Sequence, residues 1–224
     1  MAYEQTEAIV VRKVDFSETS VIVTFLTPDR GRMACMARGA RRKSSPLNTA
    51  LDTFNRLELT YAYRDSRAVQ NLIEVSLLDG YGILKRNLLR GACANVIVEA
   101  ASRAAFEQQP VPELYAALVR GLNRLAEPDT TPQAEAAETL FALLAASGIA
   151  PSAGTRESGM FLGRFSATDR ERLQRALARL NDSGEGIDPG DAPVLLEFLC
   201  AYFTHHLEAP LKSYLFLKNV ARDG

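Results

Sequence analysis

Basic side chains concentrated in one short stretch are the clearest candidates for chemistry in this sequence. Positions 30 to 51 hold six basic residues and no acidic one, although the whole chain has a formal net charge of −1. Guanidinium and ammonium groups around a glycine, here Gly39, are suited to binding phosphates without reading bases. The stretch therefore predicts a phosphate-binding surface, made of Arg30, Arg32, Arg38, Arg41, Arg42 and Lys43.

Groups that could support catalysis or hold a metal ion are few and scattered. His205 and His206 are adjacent, and on a helix such neighbours diverge, so we do not expect them to share a metal or a proton. Cys35, Cys93 and Cys200 lie far apart in apolar runs and are expected to be buried, reduced thiols, as is typical of a cytoplasmic protein. No phosphate-binding glycine motif of the Walker or dinucleotide type is present. The sequence predicts a protein that is not an enzyme and has no cofactor.

The first 80 residues show the two-residue periodicity of β-strands. Five segments rich in β-branched and aromatic residues are separated by turn-forming sequences, and the longest connection, residues 39–52, carries three of the six basic residues. Five short strands predict a closed barrel of the OB-fold type, although a small SH3-like barrel fits the strand pattern almost as well. The local positive charge favours the OB-fold, because such barrels bind single-stranded nucleic acid along basic grooves.

The remaining residues show helical periodicity. Leu114, Leu118, Leu122 and Leu125 fall on one stripe of a helix, and residues 168–171, "TDRE", match a capping box that would begin another. We therefore predict an α+β protein with two domains, an OB-fold nucleic-acid-binding domain at 1–80 and an all-α domain at 81–224. Three further cations just past the barrel are expected to extend the DNA-binding surface, namely Lys85, Arg86 and Arg90.

The sequence also limits the cellular location of the protein. Residues 1–11 lack the basic and apolar regions of a signal peptide, and no apolar run approaches the ~20 residues needed to span a bilayer. We expect a cytoplasmic protein that does not contact a membrane.

The segment "FSETSVIVTFLTPDRGRMACMARGARRKSS", residues 16–45, resembles the signature of the bacterial recombination mediator family RecO. The shared features are an SETS turn after the first strand, a Gly-Arg pair entering the third strand and a (Lys/Arg)-Gly-Ala-Arg loop, here residues 38–41. Near the end of the chain, "LKSYLFL" resembles the family's L-K-S-x-x-F segment. The resemblance covers the whole N-terminal domain and extends more weakly through the helical half.

This resemblance implies a non-catalytic mediator of DNA repair and recombination with an OB-fold and a helical domain. It further implies binding to single- and double-stranded DNA, strand annealing, and action with RecR and the single-strand binding protein SSB to let RecA load. Such a protein would be cytoplasmic and associated with the bacterial nucleoid. The residues alone leave an alternative open, a protein-binding adaptor whose barrel and helices scaffold partners and whose basic loop holds an acidic peptide.

The sequence departs from the family pattern in two places. Many members carry a four-cysteine zinc site after the helix that ends here near Gly148, but residues 149–165 contain no cysteine, so zinc is not expected. The preceding helix often opens with arginines that could meet the acidic C-terminal tail of SSB, whereas this chain has Glu135 and Glu138. We expect an apolar groove in the helical domain to hold the tail, with cations that the sequence does not identify.

Overall fold

The N-terminal strands close into a five-stranded barrel. The computed structural model describes residues 2–183 and 186–223. Its strands are β1 (Ala2–Asp15), β2 (Val21–Thr27), β3 (Gly31–Ala37), β4 (Arg56–Tyr63) and β5 (Val69–Asp79). They follow the order β1-β2-β3-β5-β4 around a closed barrel, in which β3 and β5 pair in parallel and the other neighbours are antiparallel. This is the five-stranded Greek-key barrel of the OB-fold, as predicted.

The barrel core follows from strand alternation, because every second side chain points inward. Phe25 and Tyr61 are fully buried there, as expected for aromatic residues on apolar strand faces, whereas Tyr63 is half-buried. The long connection between β3 and β4 contains a short helix, α1 (Leu47–Ala50), whose Leu47 packs against the barrel core. The connection that carries most of the basic residues is therefore anchored to the barrel at its far end.

Helices form the rest of the chain. They are α2 (Gly82–Arg86), α3 (Leu88–Ala104), α4 (Pro112–Ala126), α5 (Pro132–Ala146), α6 (Arg156–Leu162), α7 (Ala167–Ser183), α8 (Ala192–Leu207) and α9 (Lys212–Asp223). The predicted leucine stripe is buried on α4. The predicted cap of α7 is wrong by two residues, because Ser166 Oγ accepts the hydrogen bond of the Asp169 N–H at 3.1 Å. No helix within residues 2–183 and 186–223 is long and apolar enough to cross a membrane.

The chain forms two compact units. One contains the residues up to Tyr81 together with Ala105–Ala116, and the other contains Gly82–Ala104 and the residues from Ala117 onward. Ala105–Ala116 therefore belongs to the barrel unit, whereas the predicted boundary after residue 80 places it in the helical domain. Within the barrel unit, the Arg32 N–H donates to the Phe106 carbonyl at 3.1 Å and the Val111 N–H to the Pro28 carbonyl at 2.8 Å. That the segments 1–80 and 81–224 are separate domains stays a prediction.

The "LKSYLFL" segment begins α9, and α3 supplies the cap for this helix. The Glu99 carboxylate accepts hydrogen bonds from the Ser213 N–H at 2.8 Å and from the Ser213 hydroxyl at 2.6 Å. A carboxylate at a helix N-terminus satisfies N–H groups that have no intrahelical partner. Ser213 thus has a structural role within the helical unit.

Candidate nucleic-acid interface

The outer face of β1, β2 and β3 offers a largely neutral surface for a polymer. Strand register aligns two outward-facing rows across it, Arg12–Thr24–Ala34 and Val14–Ile22–Met36. Arg12 and Val14 are exposed, and the others are half-buried. In OB-folds, this face and the loops that join β1 to β2 and β4 to β5 form the usual oligonucleotide surface.

The basic loop, residues 38–43, follows β3 at one end of this face. Arg38 continues the outward alternation of Ala34 and Met36, and it is exposed together with Arg42 and Lys43. Within residues 2–183 and 186–223, these three cationic side chains form no hydrogen bond, ion pair or ring contact. Their donors are therefore available to a ligand.

Gly39 allows the turn at the start of the basic loop. Its φ of 74° lies in the left-handed region, which other residues adopt at a cost of about 1 kcal/mol or more. The Arg42 N–H donates to the Gly39 carbonyl at 3.1 Å and closes the turn. The backbone conformation at position 39 therefore explains why a glycine occurs within the basic stretch.

Arg41 holds the basic loop to the β1–β2 loop, residues 16–20. Its Nη2 lies 3.1 Å from Asp15 Oδ2, its Nη1 donates to the Ser17 carbonyl at 2.6 Å, and its backbone N–H donates to the Thr19 carbonyl at 3.1 Å. Arg41 thus differs from the other cations of the loop, because acceptors of the protein already engage its guanidinium.

Arg30 and Arg32 lie at the other end of β3. The Arg30 guanidinium is 2.8 Å from Glu4 Oε1 and stacks 4.1 Å from the centroid of the Tyr63 ring. The hydrogen bond that Arg30 donates to the Glu4 carboxylate raises the pKa of Arg30. Arg32 lies 3.3 Å from Glu107 Oε1. At about 3.4 Å per residue, Arg32 is roughly 20 Å along the strand from Arg38. The predicted cations therefore form two groups, and carboxylates balance the charge of one of them.

The cations predicted beyond the barrel also differ from one another. Lys85 and Arg86 are exposed on α2. Arg90 is only 6% exposed, and its guanidinium donates to carbonyl oxygens of Leu125, Pro128 and Thr130 at 2.7, 2.6 and 3.0 Å. The prediction that Arg90 contacts DNA is corrected, because this guanidinium is buried and fastens the α4–α5 connection.

Sequence reasoning missed three cations around the same barrel face. Arg12 lies on its outer face, and Arg64 and Arg67 are exposed in the β4–β5 loop. The buried Gln70 side chain shapes that loop by donating to the Arg64 and Arg67 carbonyls at 3.1 and 2.7 Å. Strict alternation from the buried Ala8 and Val10 would point Arg12 into the barrel, and a β-bulge between Val10 and Arg12 reverses this phase. The strand pattern of the sequence therefore could not have identified Arg12.

The cysteine and histidine side chains belong to no candidate metal site in the described part of the chain. The cysteines are free and buried, as predicted, and burial raises the pKa of Cys35 and of Cys93 to about 12. His205 is exposed, and His206 is half-buried against Tyr202, with 4.2 Å between ring centroids. Residues 2–183 and 186–223 contain no group of three or more metal-ligating side chains.

The helical unit contains an apolar pocket with a basic rim. Its lining includes Leu196 and Leu217, with Lys218 and Arg222 at the C-terminal end of α9. Lys218 Nζ lies 3.6 Å from a carboxylate oxygen of Glu197, and both side chains are substantially exposed. Such a pocket suits a ligand that combines an apolar group with a carboxylate.

The two glutamates that depart from the family pattern have structural partners in the helical unit. Glu135 is 8% exposed and pairs with Arg124 at 3.0 Å. Glu138 Oε1 accepts the Gly186 and Ile187 N–H groups at 2.9 and 3.1 Å. Neither carboxylate needs an external partner.

Comparison with known proteins finds two family models that match this chain. The family model "Recombination protein O N terminal" matches residues 1–81, and "Recombination protein O C terminal" matches residues 85–154. "DNA repair protein RecO" of Anaeromyxobacter sp. (strain K) is 31% identical over an alignment of 243 positions, and this alignment covers 95% of this chain and 94% of that protein. The protein of the same name from Salinibacter ruber is 34% identical and covers 54% of this chain and 46% of its own length. That from Bifidobacterium longum is 29% identical, with 69% and 65% covered.

Proposed function

The chain belongs to the RecO family of DNA repair proteins, and from this premise we propose that it is a non-catalytic recombination mediator that binds DNA through its basic loop. The observation that carries the proposal is the set of exposed cations Arg38, Arg42 and Lys43 at the edge of an OB-fold face. Within residues 2–183 and 186–223 no side chain of the protein pairs with them. For this role we propose that the protein acts in the cytoplasm, at the nucleoid.

Annealing requires that the repulsion between two polyanions is reduced while the bases stay free to pair. Cations on a loop contact phosphates through charge-assisted hydrogen bonds, and these contacts carry no sequence information. We therefore expect binding to single- and double-stranded DNA with negligible sequence preference. Holding two strands on one surface is the step by which the protein promotes annealing and, together with RecR, helps RecA to load on SSB-coated DNA.

The test is the salt dependence of binding to a mixed-sequence oligonucleotide. If Arg12, Arg38, Arg42 and Lys43 each neutralise one phosphate, the slope of log K against log salt is about −2.8 for a single strand, a loss of about 50-fold between 50 and 200 mM. The double substitution Arg42→Ala/Lys43→Ala should reduce the magnitude of this slope by about 1.4. It should weaken binding to every DNA sequence similarly.

A matched control removes two charges elsewhere. Arg120 and Arg175 are exposed on α4 and α7, and Arg120→Ala/Arg175→Ala should leave the slope unchanged. Thermal melting verifies that each variant is folded. An unchanged slope for the folded Arg42→Ala/Lys43→Ala variant would reject the basic loop as the DNA site, and absence of DNA binding by the wild type would favour the adaptor alternative.

The SSB tail is the partner proposed for the pocket of the helical unit. Its acidic residues and apolar end match the basic rim and the apolar lining, with the terminal carboxylate directed at Lys218 or Arg222. Calorimetry at low salt should detect a tail peptide, and Lys218→Ala/Arg222→Ala should weaken its binding. The Arg120→Ala/Arg175→Ala variant should bind the peptide as the wild type does. If Lys218→Ala/Arg222→Ala also binds like the wild type, the tail occupies another site.

A further inference from the structure

An exposed aromatic ring stands beside the basic loop. Phe16 is 60% exposed at the first position of the β1–β2 loop. Single exposed apolar side chains are common on protein surfaces. What distinguishes Phe16 is its position at the end of the outer face, next to the basic loop and in phase with the exposed Val14. A ligand that would cover Phe16 must present a flat or apolar group.

Strand alternation places Phe16 at the same end of the outer face as Arg38. The outward side chains of β1 are Arg12 and Val14, and Phe16 is the next residue in that phase. On β3 the outward side chains are Ala34 and Met36, followed by Arg38. Since β2 separates β1 from β3, the two strands lie about 10 Å apart. A nucleotide strand whose phosphates meet Arg38 can therefore reach the Phe16 ring with a base.

The backbone around Phe16 is fixed rather than loose. The Phe16 and Ser17 N–H groups donate to the Ser20 carbonyl at 3.1 and 3.2 Å, and Arg41 binds the Ser17 and Thr19 carbonyls. A ring on an ordered turn loses little conformational entropy when a ligand covers it. Arg41 thereby couples the position of Phe16 to that of the basic loop.

Charge distinguishes the two neighbouring loops. The β1–β2 loop carries the exposed Glu18 and is preceded by Asp15, whereas the basic loop carries the cations. Phosphates are therefore favoured at the basic loop, and an uncharged group is favoured at Phe16. A nucleic acid supplies both groups within one nucleotide, while a purely acidic peptide does not.

We infer that Phe16 is a base-stacking site, held in place by Arg41 as a positioning residue, and that it strengthens binding to single-stranded DNA relative to double-stranded DNA. The inference rests on the proposed function, because it requires DNA on the outer face of the barrel. Bases of a single strand are free to stack on an aromatic ring, whereas those of a duplex are already stacked on one another. Phe16 thus contributes to single-strand binding and not to duplex binding.

The chain contains no tryptophan, so Phe16→Trp introduces a single fluorescent reporter. Titration with a single-stranded oligonucleotide should quench its emission, and titration with duplex should not. Tyr3→Trp is the matched control, because Tyr3 is 68% exposed near the opposite end of β1, about 40 Å away along the strand. Its emission should not change with either DNA.

Affinity measurements provide the second readout. Phe16→Ala should weaken single-strand binding by about 5- to 150-fold and leave the salt slope and the duplex affinity unchanged. Phe16→Tyr, which keeps a flat ring, should retain the wild-type affinity. Arg42→Ala/Lys43→Ala should instead weaken both kinds of DNA.

Arg41→Lys tests the positioning role, because it keeps the charge and loses the planar fork that reaches two acceptors. In the Phe16→Trp background it should reduce quenching, although the charge is unchanged. If oligonucleotide binds with the expected salt slope but quenches nothing, the inference is wrong and the basic-loop proposal stands. If no DNA binds to the wild type, the proposed function itself fails.

Discussion

The backbone of residues 106–109 lies so close to Gly31 that a single added methyl group at this position should strongly lower the stability of the protein. Gly31 begins β3 with a φ of 58°. A Cβ at this position would lie 2.3 Å from the carbonyl oxygen of Phe106 and 2.6 Å from that of Gln109. Both atoms are backbone, so residues 106–109 must move away, and the hydrogen bond from the Arg32 N–H to Phe106 is lost. Gly31→Ala should therefore detach this segment from the barrel.

The magnitude follows from two contributions. A left-handed conformation costs a residue other than glycine about 1–2 kcal/mol, and losing the backbone hydrogen bond, with its groups partly desolvated, adds about 1–2 kcal/mol. The sum of about 3 kcal/mol should lower Tm by about 6–12 °C in a chain of this size. Gly148 provides the control, because its φ is 75° and a Cβ there would meet nothing within 4 Å. Gly148→Ala should show the first contribution alone.

Differential scanning calorimetry of both variants, with hydrogen exchange of the Arg32 amide, measures the two contributions separately. The Arg32 amide should lose protection in Gly31→Ala and keep it in Gly148→Ala. Equal Tm losses for the two variants, with the Arg32 amide still protected in both, would refute the reasoning, because the steric contribution of residues 106–109 would then be absent.

Three further predictions concern Arg90, Glu99 and the cysteines. Arg90→Ala should destabilise the protein by about 3 kcal/mol or more in urea denaturation, because buried carbonyls lose a charged donor. Burial acts to raise the pKa of Glu99, but hydrogen bonds from Ser213 and Arg103 outweigh it and lower the pKa. The stabilisation by Glu99 is therefore present above the unfolded pKa of about 4.3 and is lost as pH falls through the lower folded value, so Glu99→Gln should reduce stability at pH 7 and flatten the loss in acid. Elemental analysis should find no stoichiometric zinc, because the cysteines are buried and apart.

The barrel could be predicted from the sequence because its signals are local. Alternating side chains and turn-forming residues define each strand within a few positions, and five such strands leave few closed arrangements. The strand order then follows from the Greek-key connection. The leucine stripe of α4 is likewise a local pattern that burial confirms.

The sequence could not predict which cations are already paired with other groups of the protein, because those partners are distant in the sequence. Arg32 pairs with Glu107 and Arg30 with Glu4, across separations of 75 and 26 residues. Arg90 is a charged residue shortly after the exposed Lys85 and Arg86, so the sequence predicts a surface position for it. In the structure, carbonyl oxygens of the α4–α5 connection surround its guanidinium. A basic residue type indicates a possible phosphate contact, and only the fold decides which charges are already satisfied.

The family signature itself can be understood from these contacts. The SETS turn and the Gly-Ala-Arg loop are separated by about twenty residues, yet Arg41 of the loop donates to the Ser17 and Thr19 carbonyls of the turn. The Gly-Arg pair at the start of β3 meets the backbone of residues 106–109, where only a glycine avoids a clash. These motif residues therefore stabilise the barrel and orient its loops, which is a structural role. The side chains left to meet DNA are Arg38, the first residue of the loop motif, and the neighbouring Arg42 and Lys43. Substituting Arg41 should therefore alter loop order, and substituting Arg42 should alter the salt slope.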